Sequence, residues 1–295
     1  MGRGYFGVDK NNVQAILADL EKINGVSMPE GKKQQRLLGR HLMNVTHDEP
    51  LKIYVGSCPD YSHDGGKYTH EGIGEGVPLL TKMHLTYEVS MLEALRDHDI
   101  PFTYTIMVAD VEAEDTVFCE RFTNGNQDEF VKRCHQSVEE TKSLLQLDAA
   151  LSNVSRNINA SSFFQEFGKE RFLEYQGKYM DVLTNLYGSE PDFIAKVDDD
   201  VIARRKLYGK MYGHLLKDMD SDQKAEFLAV RTMRTMAQYL TLGRLIGEEA
   251  KYPVIINHPT RNISMYNQRN KYRLNGDIVG QQLPIPILKM EREVY

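Results

Sequence analysis

Several stretches of this chain concentrate residues able to do chemistry. In "VGSCPDYS", Ser57 and Cys58 offer a hydroxyl and a thiol, and Asp60 a carboxylate, directly after an apolar run. Either nucleophile becomes competent when a base lies within hydrogen-bond reach. Otherwise Ser57 and Asp60 serve the backbone of a turn, as such residues often do. In "IMVADVEAED", Asp110 closes a second apolar run. In "NHPTRNISMYNQRN", Asn257, His258, Arg261, Ser264 and Tyr266 follow a third, a polar density that a plain turn does not need. A basic run, "ARRKLYGKMYGHLLK", carries Arg204, Arg205, Lys206, Lys210, His214 and Lys217 interleaved with Tyr208 and Tyr212. Several of these share a helical face, which suits either an RNA backbone or plain solvation.

Two further clusters carry weaker signals. Gly72, Gly74 and Gly76 in "HEGIGEGVP" precede a helical pattern, so backbone amides could face an anion there. Their spacing matches neither GxGxxG nor a P-loop, and Glu71 and Glu75 oppose phosphate, so a loop or lid is the expectation. In "KVDDDVI", Asp198–Asp200 suit a divalent ion with a sugar nucleotide, as in a DxD motif. They suit better the positive N-terminus of a helix, where the following pattern places them.

These groups need elements to position them. "LKIYVGSC" reads as a strand, "GVPLLTKMHLTYEVSMLEALRDHDI" as a long amphipathic helix, and "PFTYTIMVADVEAED" as a second strand ending at Asp110. Strand, helix and strand at this spacing form a βαβ unit and imply a parallel sheet. "NNVQAILADLEKI" and "GKKQQRLLGRHLMNV" read as helices before it, and "NQDEFVKRCHQSVEETKSLLQL" as one after. From about Ser152 to Arg244 the chain reads as mostly helical, with "DDDVIARRKLYGKMYGHLLKDM" one helix and the next capped by Ser221 or Asp222. "YPVIINHP" is a buried strand and "LPIPILKMEREVY" an edge-like one, because proline cannot donate a ladder bond. The expectation is one α/β domain over 1–295: a helical N-terminal extension (1–50), a first βαβ half (51–150), a helical segment (151–250) and closing strands (251–295). Ligands of open parallel sheets bind beyond the carboxyl ends of the strands. Ser57, Asp60 and Asp110 belong to such ends.

Composition narrows the class. With 41% hydrophobic and 26% charged residues the 295-residue chain can bury a core. Its net charge of -6 means that a grip on nucleic acid needs a local basic patch. No apolar run approaches the roughly 18 residues of a membrane span, and "MGRGYFGVDKNN" has no apolar signal core. Cys58, Cys119 and Cys134 are odd in number and far apart, which fits reduced thiols and a cytoplasmic protein.

In the order of its elements the chain resembles the tRNA-dependent cyclodipeptide synthases, whose Rossmann-like core is similar to that of class I aminoacyl-tRNA synthetases. The resemblance is carried by "VGS" at Ser57, by "IGEEAKYPVIINHP" and by "SMY" at 264–266. It implies an aminoacyl-transfer enzyme making a small amino-acid-derived product. Ser57 would attack the ester of an aminoacyl-tRNA, Tyr266 with Glu248 or Glu249 would hold the amine and move protons, and Asp110 would anchor the ammonium. Arg204, Arg205, Lys206 and Lys210 would hold the tRNA, and no metal or organic cofactor is implied. HIGH and KMSKS sequences are absent, which argues against ATP-driven activation. "INHPTRNISMY" is also similar to the late strand of isocyanide synthases of the pyoverdine and dityrosine group. That rival implies a free amino acid with a sugar phosphate, no tRNA, and substrate contacts from His258 and Arg261. A sugar-nucleotide-dependent transferase and an RNA-binding module are the remaining readings.

Overall fold

The structure, a computed structural model, describes residues 10–23, 26–29, 32–57, 62–64, 67–69, 79–147, 154–203, 205–257 and 285–290. The elements run in chain order as α1 (Lys10–Lys22), β1 (Val26–Ser27), α2 (Lys32–Asn44), β2 (Leu51–Ser57), β3 (Ser62–Asp64), β4 (Lys67–Thr69), α3 (Leu79–Asp97), β5 (Phe102–Val108), α4 (Thr116–Thr123), α5 (Gln127–Leu147), β6 (Ile158–Ser162), α6 (Phe163–Phe167), α7 (Lys169–Ser189), α8 (Pro191–Ala203), α9 (Arg205–Leu216), α10 (Ser221–Glu249), β7 (Pro253–Asn257) and β8 (Ile287–Met290).

A six-stranded sheet in the order β1-β8-β7-β2-β5-β6 organises the first of two compact units. β8, β7, β2, β5 and β6 are mutually parallel, and β1 joins β8 antiparallel. The α/β expectation therefore holds. Ordered by the chain, the parallel strands run third, second, first, fourth, fifth, which is the doubly wound arrangement. The chain direction across the sheet reverses between β2 and β7.

Register decides which side chains share a face. Ile53 sits beside Tyr104 and Val254, Val55 beside Ile106 and Ile256, and Ser57 beside Val108. Side chains alternate along each strand, so Leu51, Ile53, Val55 and Ser57 point one way. That face packs on Ile16 and Leu20 of α1, Leu38 and Leu42 of α2, Met91 and Leu95 of α3 and Leu145 of α5. These helices form because their apolar residues recur at three and four positions. α4 is framed by local bonds: the Asp115 carboxylate accepts from the backbone amides of Val117 and Phe118, and Asn124 closes it in the left-handed region.

The second unit holds α7, α8, α9 and all but the last turn of α10. Its core joins Tyr179, Leu183 and Leu186 of α7, Phe193 and Val197 of α8, and Met233, Met236 and Leu240 of α10. At the start of α10, Asp220 and Gln223 exchange side-chain-to-backbone bonds as a reciprocal cap.

Several elements differ from the sequence reading. β5 ends at Val108, and Asp110 opens a 3₁₀ turn over Asp110–Glu114 rather than closing the strand. β6 lies inside the stretch expected to be helical; its Asn and Ser residues have low strand propensity, and pairing with β5 overrides that preference. The helix expected from Asp198 onward begins earlier, at Pro191, so the three aspartates fall late in α8. The cap of α10 is Asp220, one residue before the expected pair. β8 is an interior strand, flanked by β7 and β1, and Pro286 contributes its carbonyl by accepting from Ile255 N–H. The stretch after β2 contains the β3–β4 hairpin.

Candidate functional site

The reversal between β2 and β7 is where doubly wound sheets leave a crevice beyond the strand ends. Ser57 is the last residue of β2 and Asn257 the last of β7. Ser57 is buried, 1% exposed, and its carbonyl accepts from Ala109 N–H. One strand further on, Val108 pairs with both Ser57 and Ser162, so the two serines lie in one row and on one face. Two strand spacings separate them, about 10 Å.

Around Ser162 the fold assembles a polar cluster from three separate elements. Asp110 is fully buried. Its Oδ1 accepts from Phe164 N–H at 3.0 Å, and its Oδ2 lies 3.3 Å from Nε2 of His135 on α5. The same Nε2 is 3.5 Å from Ser162 Oγ. A carboxylate can only accept, so the neutral imidazole carries its proton on Nε2 and keeps its lone pair on Nδ1. Ser162 and Gln165 cap α6 reciprocally: Ser162 N–H reaches Gln165 Oε1, and Gln165 N–H reaches Ser162 Oγ, both at 3.2 Å. The result is a histidine of fixed tautomer, half exposed, at the carboxyl edge of the sheet.

Two buried groups lie deeper. Glu88 of α3, fully buried, accepts from the hydroxyl of Tyr104, on the same face as Ser57. On the opposite face, burial pushes the Tyr54 phenol well up, and the carboxylates of Glu166 and Glu249 add to the shift. Tyr54 therefore stays neutral.

The structure brings some of the expected residues together and separates others. Ser57 and Asn257 end the strands on either side of the reversal. Glu248 and Glu249 occupy the exposed last turn of α10. Asp110 sits at the expected edge, where its two oxygens meet Phe164 N–H and the His135 ring, so it positions His135 and the start of α6. Arg205, exposed, begins α9, which also carries Lys206 and Lys210. The interleaved tyrosines are core residues: Tyr208 bonds Thr232 Oγ1 at 2.8 Å, and Tyr212 packs on Phe227, with Arg231 over both rings of that pair. They are not free to stack on bases. The aspartates of α8 diverge by about 100° per residue. Asp200 turns inward while Asp198 and Asp199 are exposed, so the three do not converge on an ion. No group of three or more His, Cys, Asp or Glu with metal-binding geometry occurs among the described residues. Cys119 and Cys134 are buried thiols outside any disulfide among the described residues, and Cys119 Sγ donates to the carbonyl of Ala113. Cys58, Asp60, the glycines at 72, 74 and 76, Arg204, His258, Arg261, Ser264 and Tyr266 lie outside the described residues.

His135, Ser162, Tyr54 and Glu88 escaped the sequence reading. The spacing Ser162-x-x-Gln165 was a legible helix-start signal. Nothing local linked His135 to Asp110.

No protein-family model matches the chain, and no curated protein matches it. Among solved structures it is similar to a cyclodipeptide synthase from Bacillus thermoamylovorans, with a TM-score of 0.45 and 10% identity over 95% of this chain and 99% of that one. It is also similar to the CDPS of Staphylococcus haemolyticus, with a TM-score of 0.43 and 9% identity over 90% and 99%. No helix among the described residues is long and apolar enough to cross a membrane.

Proposed function

We propose that this chain is an aminoacyl-transfer enzyme that uses aminoacyl-tRNA to make a small amino-acid-derived product, with Ser57 as the acyl acceptor. The observation that supports it is the place of Ser57: the last residue of the strand beside the reversal in strand order, preceded by Gly56 in the "VGS" that carries the sequence resemblance. In the proposed step, Ser57 Oγ attacks the carbonyl carbon of the aminoacyl ester. The bond to the ribose oxygen breaks, a serine ester forms, and the hydroxyl proton passes to the departing ribose oxygen. The amine of a second aminoacyl group then displaces the serine oxygen, which recovers a proton. Tyr266, with Glu248 or Glu249, handles the amine and its protons in this reading. Asn257, Asp60, His258 and Arg261 contact the substrate in this reading. Asp110 contributes at one remove, by holding His135 so that Nδ1 is left to accept a hydrogen bond from substrate.

The test is the intact mass of the protein after incubation with a mixture of charged tRNAs and an acid quench. An added aminoacyl mass on the wild type, absent from Ser57→Ala, supports the proposal and names the amino acid. Ser57→Ala with undiminished product formation overturns it. Turnover of a free amino acid with a sugar phosphate, unaffected by nuclease, would replace it with isocyanide-type chemistry.

A further inference from the structure

α2 carries a concentration of charge that the mechanism does not use. Lys32, Lys33, Arg36 and Arg40 are all exposed. At 100° per residue they fall within an arc of about 100° and span about 12 Å along the axis. The opposite side of the helix, with Gln34, Leu38, His41 and Leu42, is buried. The helix "KKQQRLLGRHLMN" contains no acidic residue, and none of the four cations is ion-paired among the described residues. Lys32 and Lys33 stand in the first turn, where the helix dipole disfavours cations, so helix stability does not account for them. The chain as a whole is acidic, at -6.

A polyanion matches this stripe. Nucleic-acid phosphate fits better than a lipid surface, because a helix lying on a membrane inserts an apolar face, and the apolar face of α2 is already in the core. The exposed large hydrophobics among the described residues, Ile202 and Val230, belong to α8 and α10. The two guanidinium groups add planar forks that suit phosphate oxygens. We propose that the outer face of α2 is an RNA-phosphate surface that seats the tRNA; the identity of that RNA rests on the aminoacyl-tRNA reading above.

The test uses the full chain as wild type and as a variant combining Lys32→Gln, Lys33→Gln, Arg36→Gln and Arg40→Gln. Binding of uncharged tRNA is followed by fluorescence anisotropy over a series of KCl concentrations. Each lost phosphate contact flattens the dependence of log K on log salt by roughly 0.7–0.9, so the expected change in slope is about 3, with affinity at least about tenfold weaker in 0.1 M salt. A matching circular dichroism spectrum and melting midpoint show that the variant is folded. Should it fail to fold, the two pairwise variants, Lys32→Gln with Lys33→Gln and Arg36→Gln with Arg40→Gln, are each expected to flatten the slope by about 1.5. Unchanged affinity and slope overturn the inference. So does wild-type protein that binds vesicles of anionic phospholipid but not tRNA. The Ser57 adduct separates this inference from the reading beneath it. An adduct in a protein whose α2 variant binds tRNA normally leaves the enzyme reading standing and removes only the α2 surface. A salt-dependent loss in the variant, with Ser57→Ala forming product undiminished, leaves the RNA surface and removes the Ser57 reading.

Discussion

The sheet unit and the helical unit treat polar sequence in opposite ways. At the sheet's carboxyl edge, polar residues far apart in the chain converge: Asp110 from a turn, His135 from a helix and Ser162 from a strand end meet within 3.5 Å. In the helical unit, polar residues adjacent in the chain are driven apart. Asp198, Asp199 and Asp200 look like a ligand set in sequence and point in three directions on α8, while Tyr208 and Tyr212 leave their basic neighbours for the core. A parallel sheet ends many strands at one edge, so its register gathers chemistry. A helix rotates each successive residue by about 100°, so only spacings of three or four keep company. The same arithmetic makes α2 a coherent basic face.

The comparison can be broken most readily at Asp110. Asp110→Ala leaves Phe164 N–H without its acceptor and His135 without its carboxylate; it should cost about 2–4 kcal/mol by urea denaturation. A loss below about 1 kcal/mol would mean that the convergence is incidental. His41 offers a smaller, pH-dependent effect in the same unit. Burial, reinforced by Arg40, lowers its pKa from 6.5 to about 4 despite an opposing backbone hydrogen bond. The folded state is thus slow to take the proton that the unfolded chain takes readily. Stability is unaffected above about pH 6.5 and falls as pH drops from there toward 4, by on the order of 2 kcal/mol after allowing for partial solvation. Melting midpoints at pH 7 and 4.5 should show this decline, and His41→Gln should remove that part of it. In the helical unit, Tyr208→Phe loses the bond to Thr232 and should cost about 1 kcal/mol while leaving tRNA affinity unchanged. A drop in affinity would return the tyrosines to the surface. The smallest effect belongs to Asp198→Asn with Asp199→Asn, which should alter neither the melting midpoint nor its response to Mn²⁺. A Mn²⁺-dependent shift in the wild type that the variant lacks would restore the metal reading.

Much of the sheet unit was legible because its signals are local. Leu51–Ser57 and Phe102–Val108 are apolar runs of strand length, and the long helix between them shows three-and-four spacing, so the βαβ unit could be read directly. β6 could not: "INASS" has two apolar residues, and its identity as a strand comes from Tyr104, Ile106 and Val108 beside it. Ser57 and Asn257 were legible as strand ends, but their standing on either side of the reversal depends on strand order, which no local pattern encodes. Asp110 was legible for its position, but the partners of its carboxylate were not. What occupies its two oxygens, the amide of Phe164 and the ring of His135, is set by tertiary contacts 54 and 25 residues along the chain.

β8 lies between β7 and β1. Val26 and Ser27 find their partners in Met290 and Lys289, so the first described strand pairs with the last. On a ribosome, β1 emerges long before the residues that complete its hydrogen bonds exist, and the sheet cannot close from that side until β8 has cleared the exit tunnel. Such sequence-distant pairing makes closure slow. A growing chain therefore carries its basic helix α2 in place while the edge of the sheet beside β7 stays open, and a shortened product lacking β8 would present that edge to other chains.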